Sequence, residues 1–140
     1  MSIYDVTKTT PDPEWSQAWA VTEALIRALR ADVETTGARF AVAVMPSKEA
    51  VVPAAWESVC RFLPASKAVP RDPEYPVTRI TEFLQQERID YVNLLPPLRR
   101  AAERTGETGF FGLDIHLNEE GHVVLASALT PFLASLLTAH

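Results

Sequence analysis

The chain has 140 residues, 47% of them hydrophobic and 22% charged, which is enough for one domain with a real core. Its net charge of −5, with no cluster of Lys or Arg, argues against a nucleic-acid partner. A single cysteine, Cys60, excludes an internal disulfide framework and any multi-cysteine metal site, and its place beside Val59 and Phe62 reads as a small buried hydrophobe.

Residues 1–11 carry no periodicity and read as an N-terminal arm or linker remnant, leaving 12–140 as the domain. They also lack the apolar centre of a signal peptide, so the chain as given reads as cytoplasmic, while a longer parent could be secreted or periplasmic. Asp12-Pro13-Glu14 is a helix start, and Trp15, Ala18, Trp19, Thr22, Leu25, Ile26, Leu29 and Val33 follow at helical spacing until Gly37. Tryptophans four apart on an apolar stripe fit core packing better than a ligand platform.

Arg39 to Met45 is a short apolar run halted by Pro46, as expected of a buried parallel strand. Pro46 to Pro53 then leaves that strand's carboxyl end as a loop, where open α/β sheets place ligands. Ser47 is thereby the best-placed serine, a candidate for substrate binding, although its neighbours do not form a nucleophile elbow. A helix over 54–63 should bury Trp56, Val59 and Phe62 or Leu63. The proline-rich 64–76 reads as a solvent loop containing Lys67, Arg71 and Asp72. A further helix carries Val77, Ile80, Phe83 and Leu84, and Ile89 to Leu95 forms a second strand ended by Pro96-Pro97.

From Leu98 to Arg104 a short helix is expected, with Arg99, Arg100 and Arg104 as a solvated face. Asn118 is an N-cap for the last helix, on which Val123, Val124, Ala126, Leu129, Phe132, Leu133 and Leu136 share one face and Pro131 introduces a kink. No apolar run approaches the roughly 20 residues that span a bilayer. Helices alternating with short apolar strands predict an α/β fold with a short parallel sheet.

The densest chemistry lies in Asp114-Ile115-His116-Leu117-Asn118-Glu119-Glu120-Gly121-His122. In an extended segment, a carboxylate and an imidazole two residues apart face the same side. The Asp can then fix the tautomer of the imidazole while its other nitrogen acts as base. Two other readings stand beside acid–base catalysis. Asp114, His116 and His122 could ligate a divalent metal, although their spacing matches no standard motif, or the same residues could cap turns and satisfy local hydrogen bonds.

The pattern Asp114-x-His116-x-Asn118-x-x-Gly121-His122, followed by an apolar helix, resembles the C-terminal block of SGNH (GDSL-type) hydrolases. Gly37-Ala38-Arg39-Phe40 leading into a strand, Pro46-Ser47-Lys48, Val52-x-x-x-Trp56 and Ile89 to Leu95 extend the similarity over most of residues 15–137. The resemblance implies part of a three-layer, flavodoxin-like α/β/α fold and an esterase or O-acyltransferase that needs no cofactor or metal. Asp114 and His116 would be its triad acid and base. The substrate would be a small ester or an acylated carbohydrate.

One residue separates Asp from His here, where the commonest form of the block has two, which keeps His122 as a second candidate base. The family's Gly-Asp-Ser block has no counterpart, nor do its separate Gly and Asn oxyanion blocks. The chain therefore reads as the C-terminal half of such an enzyme, truncated or split, paired with its missing N-terminal half or with a second copy. A self-contained enzyme with Ser47 as nucleophile and a non-catalytic α/β module that binds a ligand or partner are the alternatives.

Overall fold

The computed structural model describes residues 2–63, 69–106, 108–112 and 114–138. The helices α1 (Pro13–Thr35), α2 (Lys48–Val51), α3 (Pro53–Phe62), α4 (Tyr75–Gln86), α5 (Leu95–Thr105) and α6 (Glu119–Thr138) alternate with strands β1 (Ala41–Val44) and β2 (Asp90–Asn93). The strands pair into a two-stranded parallel sheet, so the α/β class holds, with helices dominating. The chain divides into two compact units, Met1–Val42 with Ala68–Tyr91, and Ala43–Lys67 with Val92–His140.

In the first unit, residues expected to form an arm adopt a 3-10 helix, Ile3–Thr7. Ser2 and Asp5 close a capping box: the Ser2 hydroxyl accepts from the Tyr4 N–H at 3.3 Å, and Asp5 accepts from the Ser2 N–H at 3.0 Å. Asp5, Thr7 and Lys8 are buried here. Arg71, placed in a solvent loop by its prolines, donates to Asp5 at 2.6 Å and to the Tyr4 carbonyl. Residues 64–68 of that loop lie outside the described residues.

α1 buries less than its pattern predicts. Trp15, Trp19, Glu23, Ile26, Arg30 and Val33 form its half-buried face, whereas Leu25 and Leu29 stay exposed. Polar partners turn the helix this way: Arg79 bonds Glu23 at 3.1 Å and lies over the Trp19 ring, while Arg27 bonds Glu87 at 2.8 Å and lies over Phe83. The indole nitrogens of Trp15 and Trp19 are buried without a partner, so these rings act through their apolar bodies. On α4, Val77, Phe83 and Leu84 are the buried anchors.

The second unit is built on Ala50, Val51, Leu94, Leu95, Leu98 and Phe110, each buried. Residues 46–53, expected as a loop, contain the one-turn α2, which Ser47 caps by accepting from the Ala50 N–H at 3.3 Å. Arg99 belongs to the core side of α5, not to a solvated face, and donates to the Ala50 carbonyl. On α3 Trp56 and Val59 are half-buried, as is Leu63 just past its end, while Phe62 is 88% exposed. Cys60 is likewise exposed, against expectation. One step along a helix is about 100° of rotation, so packing through Val59 turns its neighbour outward.

α6 runs through Pro131 without a break, with Val124, Leu125, Ala128, Leu129, Phe132 and Leu136 half-buried and Val123, Leu133 and Leu137 exposed. An 18-residue window within its 20 residues has a mean hydropathy of 1.5, so by length and composition the helix is long and apolar enough to cross a membrane. A count of uninterrupted apolar runs passes over this helix, because hydroxyl residues are interspersed along it. Ser127, Thr130, Ser135 and Thr138 each return their hydroxyl to a carbonyl of the preceding turn, so they add little polarity to its surface.

Candidate active site

Residues 109–118 form a loop folded back on itself within the second unit. The Phe111 N–H donates to the His116 carbonyl at 3.0 Å, the Asn118 N–H donates to the Gly109 carbonyl at 3.0 Å, and Phe110 bridges Leu117 antiparallel. Leu113 is outside the described residues. Gly109 takes a φ of +73°, a left-handed turn open to glycine.

At the tip, one carboxylate oxygen of Asp114 accepts twice from the residue two ahead. The bonds are 3.1 Å from the His116 backbone N–H and 2.6 Å to ring Nδ1. The pair thus arises from an Asx-type turn, not from the alternation of an extended strand as expected. The His116 ring hydrogen bond, then its backbone N–H, hold the Asp114 carboxyl below its ordinary value. An ionised carboxylate at Nδ1 selects the tautomer with its proton there and the lone pair on Nε2. The His116 side chain is 76% exposed, which leaves that nitrogen accessible.

α6 is set against this loop through Asn118 and Gly121. The Asn118 side chain accepts from the Gly121 N–H at 2.9 Å, the expected N-cap. A Cβ at Gly121 would meet the Gly109 carbonyl oxygen at 2.1 Å and a Leu117 methyl at 2.9 Å. Because a backbone oxygen cannot swing away, Gly121→Ala should lower stability by ~1–3 kcal/mol in urea unfolding. A loss below ~0.5 kcal/mol would mean that the loop and helix separate freely.

The family described as SGNH hydrolase-like domain, acetyltransferase AlgX, matches residues 4–139. The chain belongs to that family. No curated protein and no solved structure matches it. Membership gives the chain an acyl-related, SGNH-type function, and it covers the segment from residue 4 that the sequence pattern set aside.

For this SGNH-type domain, the structure joins Asp114 to His116 and leaves the other candidates apart from the pair's hydrogen bonds. His122 is exposed on the first turn of α6, and Ser47 is exposed at the start of α2. Among the described residues no group of three or more His, Cys, Asp or Glu side chains could hold a metal ion. Sequence reasoning gave Lys48 no role, yet its ammonium reaches the loop and donates to the carbonyls of Phe111, Gly112 and Asp114. An open cavity of about 440 Å³ beside Asp114 is lined by Val52, Ala55, Ser58, Thr108 and Ile115 among others. Ser58 lies midway along α3, where its hydroxyl donates to the Ala54 carbonyl at 2.8 Å.

Proposed function

We propose that the chain supplies the acid–base pair of an SGNH-type acyl hydrolase or O-acyltransferase, with Asp114 orienting His116. In this role Nε2 removes the proton from a serine hydroxyl as it attacks an ester carbonyl, then returns that proton to the leaving oxygen. The 2.6 Å bond between the Asp114 carboxylate and His116 Nδ1 carries the reading. The neighbouring cavity, polar at Ser58 and Thr108 and apolar at Val52, Ala55 and Ile115, suits a small ester or an acylated sugar. The nucleophilic serine and its oxyanion donors belong, in this reading, to sequence beyond the 140 residues, in the same polypeptide or a partner chain. The 140 residues contain no Gly-Asp-Ser block.

Hydrolysis of a short-chain aryl ester tests both parts. The 140-residue chain should be inactive alone and active within the polypeptide or complex that holds the serine block. There, Asp114→Asn should slow turnover about a hundredfold, because the wrong tautomer becomes available. Activity of the isolated chain that Asp114→Asn abolishes would make the site self-contained and Ser47 the first suspect. Equal turnover by both forms of the completed enzyme would remove Asp114 from the mechanism.

A further inference from the structure

We propose that Lys48 is a positioning residue for the acid–base pair: its ammonium gathers three carbonyls of the loop and fixes the platform from which Asp114 and His116 project. The bonds, to Phe111, Gly112 and Asp114, measure 2.7, 2.9 and 3.1 Å. They match the three donors of a lysine ammonium, and the positive charge strengthens each one. A tetrahedral ammonium can serve three converging carbonyls, which the planar fork of arginine reproduces poorly.

Both ends of this clamp are informative. Lys48 opens α2, and Ala50 and Val51 in the same turn are each only 2% exposed, so its base is rooted in the core. Its far end holds a segment with little packing of its own: Phe111, Gly112, Asp114, Ile115 and His116 are all exposed. Such segments open locally at small free-energy cost. A charged tether reaching across 63 to 66 residues of sequence restrains that opening, and one of its acceptors is the carbonyl of the catalytic acid itself. The consequence for rate rests on the acid–base reading above, whereas the restraint on the loop does not.

Lys48→Met keeps the length of the side chain and removes its donors. The expected result is an Asp114 carboxyl that titrates below the ordinary carboxylate value in the wild type and moves up toward it in the variant, as the bond to His116 loses occupancy. The melting temperature should change little. In the completed enzyme kcat should fall about a hundredfold with KM nearly unchanged, and Lys48→Arg should recover part of it.

An Asp114 titration identical in both proteins would overturn the proposal, whatever happens to the rate. A shifted titration with an unchanged rate would leave the clamp standing and remove the acyl-transfer reading. Should Lys48→Met fail to fold, the wild type still decides by NMR. A Lys48 ammonium with slow hydrogen exchange and couplings to the three carbonyls supports the clamp, and exchange as fast as in free lysine overturns it.

Discussion

If His116 is the base proposed above, replacing it with alanine is expected to cut acyl transfer by roughly 10³–10⁴-fold, because the serine proton would lose its acceptor. The ring is 76% exposed, so its removal should move stability by no more than ~0.5 kcal/mol. That separation is the useful feature: lost turnover cannot then be ascribed to unfolding. The loop should persist, since the Phe111 N–H to His116 carbonyl bond uses only backbone atoms. Initial rates with an aryl acetate in the completed enzyme, beside urea unfolding of the same samples, check both statements. A rate loss under about tenfold would place the base elsewhere, with His122 next in line. On the proposed mechanism the proton leaves serine in the transition state, so the fall should appear in kcat and kcat/KM alike.

Short-range pattern carried much of this into view. Apolar runs ended by proline marked both strands, and Asn118 with two glutamates marked the start of α6. The Asp-x-His spacing pointed to a joined pair, although by strand alternation, when an Asx turn makes the join. What stayed hidden depends on residues far apart in sequence. The reach of Lys48 to Phe111 crosses 63 residues and leaves no periodic trace, because a flexible four-carbon stem imposes no spacing on its neighbours. Arg71 looked solvated because prolines surround it, yet its guanidinium is drawn to a carboxylate 66 residues earlier. Helical faces were blurred for a related reason: α1 is turned by arginine–glutamate pairs, not by its leucines alone.

The same long-range pairing gives the largest expected effect on stability. Asp5 is 3% exposed and accepts from Arg71 at 2.6 Å and from the Ser2 N–H at 3.0 Å, with the Lys8 ammonium at 3.4 Å. Arg71 above all, then the Ser2 N–H, hold its carboxyl far below the ordinary carboxylate range against the opposing cost of burial. Asp5→Ala would leave the Arg71 side chain, only 10% exposed, without its carboxylate. Lys8 would retain Asp12 at 2.7 Å. Removing one partner of a buried pair costs ~3–5 kcal/mol, a large part of a typical total of ~5–15 kcal/mol.

The sign of the pH dependence follows from the same depression. A carboxyl whose folded pKa lies below its unfolded value of ~3.9 stabilises the fold fully above that value. The contribution is then lost as pH falls through the folded pKa. Wild-type stability should therefore decline as the pH drops below ~4, and that part of the decline should vanish in Asp5→Ala. Urea unfolding between pH 7 and 2.5 reads both effects. The double variant Asp5→Ala/Arg71→Met should recover stability relative to Asp5→Ala alone, because no unpaired buried charge remains. Equal acid slopes in wild type and Asp5→Ala would move the acid sensitivity to other carboxylates. A double variant no better than the single one would mean that water reaches Arg71 once Asp5 is gone.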